Sequence, residues 1–351
     1  MIDPRTPVLD LLNRFGPPAH APEGVGEGHA PTREAVSLPA ARAYCSGLAT
    51  SHYENFSVLT SLVPPSLREP FAAVYAFCRW SDDLGDETGQ GPEARARSEA
   101  LLAWWRGELD RAMGGEASHP VYVALVPVIR EFRLPRKPFA DLIDAFVQDQ
   151  RVTRYQTWDE VVDYCTRSAN PVGRLVLMLA GYREDDPRHA RLFAQSDAIC
   201  TALQLINFWQ DVRRDLLERD RVYLPAQDTG WSPEDLRAAL DRADDPPTRI
   251  RYIRALRPLV ERTADLFREG APLIPALDPS IRPVVWLFLQ GGLKTLRAVE
   301  RAGCATLWTR PRLSKPAKVA LVARAWLAKS TIWRARPASA TLAPSSLEPA
   351  A

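Results

Sequence analysis

The chain has 351 residues, 25% of them charged and 46% hydrophobic, with 45 basic and 43 acidic side chains. This is the composition of a globular protein with room for a large core, and a formal charge of +2 lacks the basic excess of a nucleic-acid binder. No apolar run reaches the ~18 residues of a membrane-spanning helix and the N-terminus carries no apolar signal core, so a cytoplasmic protein is expected.

Residues 1–36, rich in Pro, Gly and His, read as a flexible leader. Within it Gly24-Val-Gly26-Glu-Gly28 imitates a dinucleotide loop, but no strand precedes it and no apolar helix follows. From 37 to 334 apolar residues recur at three- and four-residue spacing, in 37–49, 66–80, 91–113, 119–132, 137–148, 158–168, 172–181, 187–217, 232–268, 279–304 and 315–334. Breakers such as Pro64-Pro65, Gly114-Gly115, Pro135, Pro187 and Pro225 separate them. Strand alternation is scarce. The spacing predicts one all-α domain of about ten helices over 37–334, followed by a disordered tail over 335–351. Cys45, Cys78, Cys165, Cys200 and Cys304 are too scattered for a disulfide framework or a zinc site.

The first chemical signal is Tyr75-Ala-Phe-Cys-Arg79-Trp-Ser-Asp82-Asp83-Leu-Gly-Asp86. At about 100° per residue, Asp82 and Asp86 stack one turn apart, with Arg79 and Tyr75 continuing the same face. Such carboxylates repel by roughly 0.2–0.5 kcal/mol even in water, and by more near a core unless a cation compensates. The second signal is Gln204-Leu-Ile-Asn207-Phe-Trp-Gln-Asp211-Val-Arg-Arg-Asp215, whose four polar oxygen-bearing residues fall within about 80° of one another. One acidic pair on a helix is ordinarily a solvated face. Two, each on an apolar helix and each beside an Arg, point to facing rows in a helical bundle. Hard oxygen donors suit Mg²⁺ shared between carboxylates and the oxygens of a diphosphate.

These motifs resemble those of the squalene/phytoene synthase family of class I isoprenoid synthases. Tyr75-x-x-x-Arg79-x-x-Asp82-Asp83-x-x-Asp86 matches the family's first aspartate-rich motif, and Gln204 through Asp215 the second. Arg221-Val-Tyr223-Leu-Pro225 matches the segment that closes over the diphosphate. The resemblance spans about 40–305. It implies a single-domain helical bundle around a central apolar cavity, with several Mg²⁺ ions held by Asp82, Asp83, Asp86, Asn207, Asp211 and Asp215. It further implies that Tyr75, Arg79, Arg221 and Tyr223 assist departure of the diphosphate, that Gln204 contacts substrate, and that the product is a C30 or C40 apolar isoprenoid.

Three local features look like the bacterial hydroxysqualene-forming branch. In Ser51-His52-Tyr53-Glu54-Asn55-Phe56, Glu54 and Asn55 would serve a second polyanion poorly. Ser168-Ala169-Asn170-Pro171-Val172-Gly173-Arg174 replaces an apolar-Ala-Gly run, and Gly291-Gly292 interrupts a late helix. Read alone, each is also a cap, a helix break or a close helix crossing. Together they favour one diphosphate, with presqualene diphosphate as substrate and water quenching the cation. His52, Tyr53, Glu54, Asn55 and Tyr164 are candidates for contacting substrate, and His52, Tyr53, Glu54, Tyr164 and Asn170 for placing that water. NADPH is not expected. Head-to-head condensation of two prenyl diphosphates is the alternative within the family; a catalytically silent assembly homologue and an unrelated Mg²⁺ pyrophosphohydrolase are alternatives outside it. The basic, apolar stretch 315–334 reads either as a peripheral contact with an anionic membrane or as a terminal packing helix.

Overall fold

The computed structural model describes residues 2–17, 36–51 and 62–331. His52, Tyr53, Glu54 and Asn55 lie outside the described residues. Within them the architecture is all-α, with one isolated parallel bridge between Arg154 and Val222.

The long helices form where apolar spacing and start signals agree. Helix α1 covers Val8–Phe15 and α2 covers Leu38–Ser51. Helix α3 (Arg68–Asp86) follows the Pro64-Pro65 break through a short 3₁₀ turn. Helices α4 (Pro92–Met113) and α5 (Pro120–Phe132) each open with Pro in the first turn, where its missing N–H costs nothing. Then come α6 (Arg136–Arg151), α7 (Trp158–Ser168) and α8 (Asn170–Leu179). Thr157 and Glu160 close a capping box at the start of α7, satisfying two otherwise orphan donors. Helix α9 (Ala190–Glu218) runs 29 residues without Pro or Gly. It is followed by α10 (Ala226–Thr229), α11 (Pro233–Ala239), α12 (Pro246–Gly270), α13 (Leu273–Ala276), α14 (Arg282–Arg301) and α15 (Lys315–Thr331).

The structure departs from the sequence reading in two places. Residues 8–15 of the expected leader are helical, and Val8, Leu11, Leu12 and Phe15 are buried at 3-1-3 spacing. The surrounding Pro and Gly hide this single apolar stripe. The stretch 232–268 is two helices, because Asp245 caps a new start and Pro246-Pro247 cannot continue the old one.

Two helices position the site. Helix α3 is anchored by its apolar face: Phe77 and Trp80 are fully buried among Trp105, Tyr122 and Phe139. Trp80 Nε1 donates to the Tyr44 hydroxyl at 2.9 Å and Trp105 Nε1 to Ser81 Oγ at 3.0 Å. Each such ring contributes about 1.5–3 kcal/mol of burial. Helix α9 packs against α8, α12 and α14, with Leu205, Ile206 and Trp209 buried at 1% exposure or less. Trp209 Nε1 donates to Thr263 Oγ1 on α12 at 2.8 Å. With these faces fixed in the core, the acidic faces of α3 and α9 have one place left to go, a shared cavity.

Candidate active site

A cavity of about 800 Å³ lies between α3, α6, α9, α14 and α15. Asp82 and Asp86 of α3 and Gln204, Asn207, Asp211 and Asp215 of α9 line it together. Phe146, Leu203, Ile206, Leu287, Phe288 and Leu321 supply apolar wall. The two rows expected from the sequence therefore face one volume.

Arginines bridge the rows. Arg219 Nη2 lies 3.1 Å from Asp86 Oδ2, and its Nη1 lies 3.8 Å from Asp215 Oδ1. Arg221 Nη1 donates to Asp86 Oδ1 at 2.8 Å. Arg310 grips both oxygens of Asp211, its Nη2 donating to Oδ2 at 2.7 Å. A single guanidinium thus spans Asp86 and Asp215, which puts the rows within reach of a shared cation or diphosphate.

The segment after α9 is held so that Arg221 and Tyr223 point inward. Asp220 adopts a left-handed φ of 51° and its carboxylate accepts from Arg154 Nη2 at 2.7 Å. Arg221 N donates to the Asp215 carbonyl and Val222 N to the Thr153 carbonyl, both at 2.9 Å. The Tyr223 ring stacks on Phe208 with centroids 3.7 Å apart. Beneath Arg221 sits Asp149, at the C-terminal end of α6 and 4% exposed. Its Oδ2 accepts from the Tyr164 hydroxyl at 2.6 Å and its Oδ1 from the Tyr223 hydroxyl at 3.2 Å. Arg221 Nη1 is 3.6 Å from Oδ2.

The charges are tuned by enclosure. Burial pushes Asp149 up to about 6, against the pull of Arg221, and Asp215 up to about 7, against Arg219. Enclosure in the cavity, with Asp86 one turn away, raises Asp82 to about 6. Burial works against the charge on Arg221, yet Asp149, Tyr223 and Asp86 hold its pKa above the ordinary guanidinium value. Burial raises the Tyr164 and Tyr223 phenols well above their ordinary range, so both remain neutral O–H donors.

Four expected site residues stand elsewhere. Asp83 is 2% exposed and is locked to Arg79 one turn back, outside the cavity wall. Arg79 also contacts Asp82 at 3.5 Å and Glu87 at 3.1 Å, so its guanidinium organises the acidic end of α3. Tyr75 is half-buried on the same helix, outside the wall. Asn170 is buried at the start of α8, where its Oδ1 accepts from Thr201 Oγ1 at 2.9 Å. The neighbouring Gly173 makes room for α9: a Cβ there would sit 2.5 Å from Cys200 Sγ and from Ser196 Oγ. The 168–174 feature thus serves helix packing. Gly292 does likewise and also lines the cavity, while Gly291 lines it with no close neighbour.

Sequence reasoning missed Asp149, Arg219, Arg310 and Phe146. Arg219 had a signal, since it lies four residues after Asp215. Arg310 had none, because its partner is 99 residues away.

Comparison with known proteins agrees with this geometry. The profile of the family described as squalene/phytoene synthase matches residues 49–317. The chain belongs to the squalene/phytoene synthase family. It is 33% identical over 227 residues to the hydroxysqualene synthase of Rhodopseudomonas palustris, covering 64% of this chain and 71% of that one. It is 29% identical over 302 residues to the 15-cis-phytoene synthase of Synechocystis sp., covering 83% and 86%. Among solved structures, the squalene synthase HpnC of Alicyclobacillus acidocaldarius is 42% identical, with TM-score 0.66 over 76% of this chain and 95% of that chain. As a member of this family the protein is an isoprenoid synthase acting on prenyl diphosphates.

Such synthases generally depend on a divalent metal, and the donor set fits one. Asp82, Asp86, Asn207, Asp211 and Asp215 offer oxygen alone, the preference of Mg²⁺. Among the described residues no three acidic, His or Cys side chains converge into a cage.

Proposed function

We propose that the protein converts presqualene diphosphate and water to hydroxysqualene and diphosphate. The supporting observation is a cavity lined by the acidic rows of α3 and α9 and by Arg219, Arg221 and Arg310, with apolar wall beside them and the Tyr164–Asp149 pair in its lining. Similarity to hydroxysqualene synthases and to the squalene synthase HpnC agrees with it.

Magnesium ions bound by Asp82, Asp86, Asn207, Asp211 and Asp215 would neutralise charge on the departing diphosphate. Arg219 and Arg221 add fixed positive charge at the same end and need little reorganisation, because carboxylates already hold them in place. The C–O bond breaks with its electron pair leaving on the diphosphate, and the cyclopropylcarbinyl cation rearranges with ring opening. Phe146, Leu203, Ile206 and Leu287 keep bulk water from that cation. The Tyr164 hydroxyl orients one water, and Asp149, ionised above about pH 6, takes the proton released when the water's oxygen bonds to carbon.

A second reading, condensation of two farnesyl or geranylgeranyl diphosphates, is favoured by the similarity to phytoene synthases. Product analysis by mass spectrometry separates the two. Presqualene diphosphate with Mg²⁺ should give hydroxysqualene whether or not NADPH is present. Turnover of farnesyl or geranylgeranyl diphosphate alone, or squalene formed only with NADPH, would replace the first reading with the second.

A further inference from the structure

Helix α15 buries one side and leaves the other apolar side in water. Leu321 and Ala325 are 7% and 0% exposed where α15 packs against α14. On the opposite side Pro316, Val319, Ala320, Ala323 and Trp326 recur at helical spacing and are all exposed, Val319 at 67% and Trp326 at 59%. An exposed Val and Trp one heptad apart, on a stripe with no polar member, call for a cover. The stripe adjoins the cavity: Leu321 and Val322 of α15 line it, as does the partly exposed Phe288 of α14.

The charge around this stripe selects the cover. From Arg310 to Thr331 the sequence holds Arg310, Arg312, Lys315, Lys318, Arg324 and Lys329 and no acid. Eight of the 45 basic residues but one of the 43 acidic residues follow Thr309, so the rest of the chain is net negative. A second copy apposing the same stripe, as in a two-fold dimer, would bring like charges together, which costs affinity. An anionic bilayer meets both demands: its headgroups attract the Lys and Arg side chains, and its interface accepts Val and an amphipathic Trp ring.

We propose that α15 docks the protein on an anionic lipid surface, with the cavity wall formed by α14 and α15 next to the bilayer. Docking does not depend on which prenyl diphosphate is consumed. The test uses the full chain and sedimentation with two vesicle types, pure phosphatidylcholine and phosphatidylcholine mixed with phosphatidylglycerol. The parent should sediment with the mixed vesicles, fail to do so with the neutral ones, and be released by high salt. The double variant Val319→Ser/Trp326→Ser should partition about tenfold more weakly with unchanged helical circular dichroism. Equal partitioning of variant and parent, or a parent that ignores the mixed vesicles, overturns the proposal. So does a parent dimer that the double variant dissociates, which would make the stripe a protein interface. Should the double variant fold poorly, brominated phosphatidylglycerol decides: it should quench part of the parent's tryptophan emission, and Trp326→Phe should remove that part. Quenching unchanged by Trp326→Phe overturns the docking geometry.

Discussion

Asp82 and Asp86 stand one turn apart inside a cavity, an arrangement that costs energy unless cations sit between them and their partners on α9. In this structure Arg219, Arg221 and Arg310 supply that charge. Removing a carboxylate therefore need not unfold the protein, but it removes a metal donor. Asp82→Ala and Asp211→Ala should each abolish turnover while helical circular dichroism persists. Activity at roughly a tenth or more of the parent would contradict the ligand assignment. Asp149 gives a pH prediction. Its folded pKa of about 6 lies above the unfolded carboxylate value of about 4. Between those values the folded state holds the extra proton, so stability falls as pH rises through the window and levels off above it, by on the order of 2–3 kcal/mol at most. Asp215, raised to about 7, acts in the same direction. Without metal, the thermal midpoint should fall between about pH 4 and pH 7, and Asp149→Asn should flatten the lower part of that fall. An unchanged slope in the variant would remove Asp149 as its source.

At the scale of elements, the adjacent glycines of α14 both line the cavity but differ in packing. A Cβ on Gly292 would lie 2.5 Å from Phe267 Cζ on α12 and 2.6 Å from Leu203 Cδ2 on α9. A Cβ on Gly291 meets nothing within 4 Å and faces the cavity. Gly292→Ala should destabilise by about 1–3 kcal/mol through overpacking, whereas Gly291→Ala should fold normally and act only on substrate turnover. Denaturant unfolding of the two variants checks this, and equal destabilisation would refute that difference in packing. Helix periods were legible in the sequence because apolar stripes of three and four repeat through 37–334, and both acidic motifs stood out as polar faces on apolar helices. Function within a motif was harder to read. Asp83 and Arg79 carry the motif's pattern, yet they neutralise each other at the end of α3. Asn170 and Gly173 also looked functional, but they fit α8 against α9. Local spacing reports which face a residue occupies and is silent about which neighbour reaches it first. Helix α1 escaped for the opposite reason: two turns of helix give too few repeats to stand out against flanking Pro and Gly.

Across the whole molecule, the site joins parts that are distant in sequence. Helix α3 is fixed by α2, α4 and α5, and α9 by α8, α12 and α14. The acidic rows meet only because those two groups of helices pack together. Arg310 closes the ring from beyond α14, a contact that periodicity cannot foresee. A ligand binding both rows therefore ties the two groups together and should stabilise the folded state by mass action. Mg²⁺ with inorganic diphosphate, at concentrations well above the dissociation constant, should raise the thermal midpoint by roughly 2 °C or more. Ca²⁺ should give a smaller rise, because it prefers more ligands at longer distances than Mg²⁺ does. The rise should shrink sharply in Asp82→Ala and in Asp211→Ala, since each variant removes a carboxylate donor from one of the two rows. An undiminished shift in Asp82→Ala or in Asp211→Ala would mean that the substituted row does not hold the ligand, and the two rows would then not act as a single site.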